Sequence, residues 1–506
     1  MKKFVASLIA VVLVFGAFSV NVLAYEGKTE LVVASGSLGP SLDPVGTNDM
    51  PSSRHQRQIF DTLIMMRYID GQIVLEPGLA VSWEFLDPST LKLQLREGVL
   101  FHNGELFTAN DVKFSLERAI ESSFSRPIVE MIDEIIVDGD YEVTIKTLFP
   151  FAPLLNHLTH TSTSIVSAAA VEEFGDSFGE NPVGTGPFKY VSRVVQSELV
   201  FERFDDYWGE LPVLEKLRIL EIPIQATRLI LVETGGADIA VDIAPADVRR
   251  AEANPNLTLE RGFTFSLSPY IGFNTLKEPF DNHLVRQAIN YATDTQALVD
   301  VVFRGVGAPA HGPLSEMVWG FAELEAFDYD VAKAKELMIE AGYPDGFETT
   351  IWWNSNNPQR GQVAEMLQFM LADIGITMEV IGVEWGQYLL DTADGLHDMF
   401  LLGWVTATGD PDYGLFNVFH SNNHGTPGNR TFYTNARVDE LLEAGRVETD
   451  PDARLVIYAE LQQILRDDAP WIPVLQGEEL VVLSNSVRGF ELTPTTNYWF
   501  WLVHFE

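Results

Sequence analysis

Between positions 349 and 404 the spacing of apolar residues changes repeatedly. Thr349 to Trp353 reads as a short strand. From Pro358 onward, Val363, Met366, Leu367, Met370, Leu371 and Ile374 recur at three- and four-residue intervals, and Gly375 supplies a stop. That spacing lines one face of a helix. Ile376 to Val383 predicts a second strand, Gly386 to about Asp394 a second helix, and Asp398 to Trp404 a third strand. Strands alternating with helices imply a parallel sheet with helices on its faces.

The same helical spacing recurs after Asp281, where Leu284, Val285, Ala288, Ile289 and Ala292 share a face. It recurs again from Asp330 to Ala341, ended by Gly342-Tyr343-Pro344, and over about 436–446 and 451–467. The first half differs. Leu91, Leu93 and Leu95 alternate with polar neighbours, as do Val143 and Ile145, so short strands dominate there. The expected fold is therefore α/β in two lobes, with β-rich additions in the first. A length of 506 residues agrees, because single cores stop growing well below that size.

The first residues do not fit this globular pattern. Lys2 and Lys3 precede an apolar run from Phe4 to about Val20, and Val22-Leu23-Ala24 ends in a small residue suited to cleavage before Tyr25. Residues 1–24 thus read as a signal peptide. Cysteine is absent, which removes disulfides, thiolate chemistry, cysteine-bound zinc and a lipid anchor on cysteine. An exported chain without an anchor is expected in a periplasm. With 72 acidic against 33 basic residues, nucleic acid is not an expected partner, since phosphates need basic patches.

Catalytic signatures are missing. There is no Gly-x-Ser-x-Gly elbow, no His-Glu-x-x-His and no phosphate loop, and Gly305-Val306-Gly307 has Ala310 where a third dinucleotide glycine belongs. Asp410 and Asp412 lie close enough to suggest a glycosidase pair, but two carboxylates in one loop read as solvated or capping groups. His157/His160 and His420/His424 have helix-compatible metal spacing without a third ligand nearby, so no metal, cofactor or catalytic residue is expected. Aromatic and amide groups instead gather at predicted strand ends. Trp353 is followed by Asn354 and Asn356, and Gly403-Trp404 by Thr406 and Thr408. Open α/β sheets bind ligands just beyond those ends.

Six stretches carry a family resemblance: LAVSWEFLDPSTLKLQLREGVLFHNGELFTANDVKFSLERA (79–119), NPVGTGPF (181–188), FERFDDYWG (201–209), FDNHLVRQAINYATD (280–294), AKELMIEAGYPDGFE (334–348) and DAPWIPV (468–474). In content and order they resemble the peptide and nickel class of extracytoplasmic solute-binding proteins of ABC importers. The resemblance implies a type II periplasmic-binding-protein-like clamp with an inserted α+β domain. Its parts would be a discontinuous first domain (25–57, 184–271 and 477–506), an insert (58–183) and a second lobe (272–476). It further implies a monomer that closes on a small ligand, a dipeptide, oligopeptide or glutathione-like peptide, and presents it to a membrane permease.

Peptide receptors of this class carry an aspartate shortly after a Gly-Trp pair; here that position is Ala407. GWVTATGDPDY (403–413) is more similar to the glutathione-receptor branch, which points to Thr406, Thr408 and Asp410 as ligand contacts, with Asp410 capping the turn at Pro411 as the plainer role. Arg360 lies near the region of a carboxylate clamp. Trp352, Trp353, Trp385 and Trp404 would equally suit stacking on sugars in an oligosaccharide receptor of the family. A metal-complex receptor of the same family, an exported hydrolase and a chemosensory protein are further roles open to such a chain. N-terminal sequencing of exported material is expected to begin near Tyr25, and an intact Met1 confined to membranes would refute the cleavage.

Overall fold

The computed structural model describes residues 27–506 apart from 70 and 427, so the expected signal peptide lies outside the described residues. The sequence-predicted alternation is present: strand Glu348–Asn354, helix Pro358–Ala372, strand Thr377–Val383, helix Trp385–Ala393 and strand Met399–Val405. The first of these strands pairs in parallel with both of the others. Local chemistry sets the boundaries. Asn357 accepts from the Arg360 amide at the helix start, Pro358 stands where no backbone donor is needed, and Gly375 adopts φ +83° beyond the end. Val363, Leu367 and Leu371 on this helix are fully buried against Ile351 and Leu401.

These strands belong to a twelve-stranded mixed sheet that runs through both lobes. Its continuity rests on two long strands, Leu257–Phe273 and Leu475–Ser484. They pair antiparallel from Leu257↔Ser484 to Phe263↔Glu478, and the register shifts before Leu267↔Gln476. Beyond that irregularity the longer strand pairs with Met399–Val405 of the second lobe. On the first-lobe side, Leu475–Ser484 pairs with Ile239–Ala240, which continues to Glu30–Ser35 and Lys216–Glu221.

The β-rich part predicted from alternating leucines is a separate four-stranded antiparallel sheet of Ala80–Asp87, Thr90–Leu95, Glu142–Thr147 and Ile132–Gly139. Leu91, Leu93 and Leu95 face its core with Val143 and Ile145. This unit joins the first lobe through Asp61, whose buried carboxylate accepts from Thr185 Oγ1 at 2.9 Å and Trp208 Nε1 at 2.8 Å. It also touches the second lobe: the Ala152 amide donates to the Arg446 carbonyl at 2.8 Å, and Asn156 Nδ2 to the Thr408 carbonyl at 3.1 Å. Among the described residues no helix is long and apolar enough to cross a membrane.

The Gly-Thr-Gly stretch at 184–186 is a packing device. A Cβ on Gly184 would lie 2.2 Å from the Ile59 carbonyl oxygen, and one on Gly186 2.5 Å from the Ile59 carbonyl carbon. Only glycine lets these backbones meet. Gly184→Ala is therefore expected to lower the unfolding free energy by about 1–3 kcal/mol through overpacking, read by urea denaturation. An unchanged midpoint would show that the contact can relax.

Candidate functional site

A narrow pocket, with about 20 Å3 of room for water, lies where three units meet. Helix Met50–Ile59 and the polar run 159–161 give Arg57, Thr159, His160 and Thr161; hairpin 64–77 gives Met66, Arg67, Tyr68 and Ile73. The crossing strand Leu257–Phe273 contributes Phe265, the second lobe Ala407, and the C-terminal segment Thr493, Pro494, Thr495, Asn497 and Trp499.

The charge of this pocket is positive although the chain is acidic. Arg57 donates to the Thr159 carbonyl at 2.9 Å and weakly to Thr62 Oγ1 at 3.4 Å. No described carboxylate forms an ion pair with it, and burial lowers its pKa to about 10 against the nearby Asp61 charge. Its guanidinium stays protonated, with donors to offer. Arg67 pairs with Glu491 at 2.7 Å and lies 4.7 Å from the centre of the Trp499 ring. His160 is held neutral, its pKa lowered to about 3 by burial, with His157 and Arg57 adding to the effect. Its Nδ1 accepts from the Ser162 amide at 3.1 Å, which leaves the proton on Nε2. Arg57 and His160 supply the donors of a wall beside the aromatic faces of Tyr68, Phe265 and Trp499, while the threonine hydroxyls add acceptors, their protons already given to Asn156, Ser53, Asn497 and Thr493. Such a wall suits carboxylate and peptide groups.

The residues singled out in sequence are distributed differently. Trp353 points away from the pocket, packed 3.0–3.1 Å from the Cβ positions of Gly361 and Gly382. Asn354 accepts from Arg360 Nη1 at 2.6 Å and donates to Asn356, so these three residues tie strand end to helix start. Burial lowers the pKa of Arg360 as well, and its Nη2 rests near Gly403, where a Cβ would lie 3.2 Å away. Trp385 is half-exposed and stacks on Tyr388. Trp404 Nε1 donates to the Tyr413 carbonyl at 3.1 Å.

In the loop after Trp404, only Ala407 lines this pocket. Thr406 donates its amide to the Phe265 carbonyl at 3.1 Å, and Thr408 is fully buried, accepting from the Asp410 amide at 3.4 Å. Asp410 caps helix Pro411–Phe419 through the Asp412 amide at 2.9 Å, and both its oxygens accept from Arg454 at 2.9 Å. Its carboxylate is thus occupied as a cap and buried ion pair. It borders a different, wider crevice with Arg454, Met317 and Trp319. Asp412 pairs with Arg446 at 3.0 Å and His157 at 3.4 Å, and Arg446 holds its pKa low in spite of burial. Among the described residues, no cluster of three or more His, Asp or Glu is placed to hold a metal ion.

Sequence reasoning missed Arg57, Arg67, His160 and the 493–499 segment. The signal open to it was compositional: the hydroxyl-rich runs Thr159-His160-Thr161-Ser162-Thr163-Ser164 and Thr493-Pro494-Thr495-Thr496-Asn497 stand out between apolar stretches.

Comparison with known proteins adds to this geometry. Residues 74–426 match the family of bacterial extracellular solute-binding proteins, family 5 (middle). The glutathione-binding protein GsiB of Salmonella typhi is 32% identical over 485 residues, covering 93% of each chain, and that of Pectobacterium atrosepticum is 34% identical over the same shares. In three dimensions the chain is similar to the periplasmic binding protein DppA of Helicobacter pylori in complex with the peptide STSA. That match has TM-score 0.85 and 30% identity over 94% of this chain and 98% of the other. It is similar also to a dipeptide-binding protein of Pseudoalteromonas in complex with Met-Leu, with TM-score 0.85 and 25% identity over 94% and 100% of the two chains.

Asp410→Ala strands the Arg454 charge in the interior. Removing one partner of a buried pair costs about 3–5 kcal/mol, so thermal and urea unfolding should both shift strongly. Parent-like stability would refute this structural role.

Proposed function

The chain belongs to the bacterial extracellular solute-binding proteins of family 5, and from that premise we propose that it captures a small carboxylate-bearing peptide of the glutathione kind for an ABC importer. The observation that carries the reading is Arg57: a desolvated arginine without a carboxylate partner, set in the wall of a pocket where three units meet. A ligand carboxylate would complete its hydrogen bonds, and a charge-assisted bond of that sort is the strong kind. His160 Nε2 and Asn497 offer donors to further polar groups, the Thr161 and Thr495 hydroxyls offer acceptors, and Trp499 gives an apolar face.

Ala407 supplies no carboxylate for an α-ammonium, and Asp410 and Asp412 are already paired with Arg454 and Arg446. The α-ammonium that a dipeptide and glutathione both carry would therefore stay at the solvent edge of the pocket, where water replaces the missing partner. Trp353 and Trp404 are engaged in packing, which weakens the case for sugar stacking.

Capture proceeds by closure. Ligand bound to the first lobe and its insert meets Ala407 on the second, so its binding energy favours the closed form that a permease recognises. No residue of the pocket needs to act as a nucleophile for this. Export through the N-terminal signal, residence in a periplasm as a monomer and hand-over to a permease complete the proposal.

Titration calorimetry with reduced glutathione tests it. Binding with a smaller radius of gyration in solution scattering is expected, and Arg57→Ala should weaken affinity by about 10- to 150-fold, equivalent to about 1.5–3 kcal/mol. If the parent ignores glutathione, or if Arg57→Ala binds it as tightly, the reading falls.

A further inference from the structure

Behind the C-terminal wall of the pocket lies a buried network that ligand capture does not itself explain. Glu479, on the crossing strand Leu475–Ser484, accepts from Tyr498 Oη at 2.7 Å and from the Asp242 amide at 3.4 Å. Asp242 pairs with Arg54 at 3.2 Å, and Arg54 Nε donates to the Thr496 carbonyl at 3.0 Å. Gln58 donates to the Tyr498 carbonyl at 2.8 Å, and the Phe265 amide to the Pro494 carbonyl at 2.9 Å. Three side chains from two separate parts of the chain, Arg54, Gln58 and Glu479, therefore grip the segment that supplies Thr495, Asn497 and Trp499.

The grip holds strained backbone. Thr496 has φ +58° and Asp242 φ +55°, left-handed values that non-glycine residues keep only when their surroundings enforce them. Tyr498 and Gln58 are fully buried and Arg54 is 4% exposed, so water competes little for their bonds, while the Asp242 side chain forms the solvent-facing edge of the network.

We propose that Glu479 is a proton-bearing positioning residue of the binding pocket: as the neutral acid it bridges Asp242 and Tyr498, and that bridge holds the 493–499 segment in place for ligand. The facing groups fix the sign. Arg54 and neutral His55 face the network from helix Met50–Ile59, Arg228 from helix Gln225–Glu233, and Asp242 and Tyr498 from their loops. Burial, then the Asp242 charge, pushes Glu479 up to about 8, while Arg54 opposes the shift. Asp242 is held below its usual value by Arg54 and Arg228 in spite of burial. A group that holds its proton more tightly in the positioned state favours that state at low pH. Positioning should weaken as pH rises from the ordinary carboxylate range toward 8, and level off above it.

Hydrogen exchange of the 493–499 amides in the ligand-free protein, corrected for intrinsic rates, tests this without any assumption about ligand. In the parent, protection should fall between pH 5 and 8 by up to about tenfold per pH unit. Glu479→Gln, which can still donate to Asp242 and accept from Tyr498, should remove that dependence. Tyr498→Phe should lower protection at every pH with the global melting transition retained. The role for the ligand rests on the function proposed above and is read separately: with reduced glutathione as probe, affinity should weaken toward pH 8 in the parent more than in Glu479→Gln. Parallel exchange profiles in parent and Glu479→Gln overturn the proposal. Failure of glutathione to bind overturns the ligand reading instead, and the exchange comparison still decides the positioning role.

Discussion

Everything in this molecule hangs on two antiparallel strands that pass from one lobe to the other. Leu257–Phe273 and Leu475–Ser484 share a ladder of backbone hydrogen bonds, so the lobes are joined by sheet and not by flexible linkers. A register shift between Phe263 and Leu267 interrupts that ladder at the junction. Bulged strands bend and twist more than regular ones. Such pairing favours bending at that irregularity over free rotation of one lobe against the other. Phe265, Gln476 and Glu479 all lie within a few residues of it, and each contacts the pocket or its supports.

The electrostatics follow a similar economy. An acidic chain with few cations could neutralise every arginine, yet among the described buried ones Arg228, Arg286, Arg360 and Arg430 rest on neutral acceptors and three are ion-paired: Arg454 by Asp410, Arg446 by Asp412, Arg54 by Asp242. The Asp242 side chain is still 40% exposed, so solvent screens that last pair more than the others. Arg57 stands apart from these because it lines the pocket, its charge offset by the Thr159 carbonyl, the Thr62 hydroxyl and the field of Asp61. A net-negative protein that captures an anion needs such local inversion of charge, because its far field repels the ligand.

The motifs that reveal the family do not line the pocket. Gly184 and Gly186 permit close contact with Ile59, Trp208 donates to buried Asp61, and Trp471 packs on Tyr270 with ring centres 4.0 Å apart. These residues fix the scaffold, while the pocket is lined by other parts of the chain. Asp410 illustrates the distinction: a polar residue in a binding-site loop whose carboxylate caps a helix and compensates Arg454.

Periodicity alone determined the local structure. The strand and helix boundaries from 348 to 405 fall within about two residues of those read from spacing, since apolar faces, caps and glycine stops act over a few residues. The parallel order of those strands was legible for the same reason. Side-chain direction was not. Trp352 and Trp353 are neighbours in sequence, but the pleat sends Trp352 toward the core shared with Phe400 and Trp353 toward Gly361. Nor could spacing show that residues 57, 160, 407 and 495 meet. That juxtaposition depends on the two crossing strands and on how the four-stranded unit seats between the lobes, which are long-range contacts with no local signature. The sequence by itself specified the elements and the kind of scaffold; tertiary structure decided which polar groups were left without partners, because only packing determines where water is excluded.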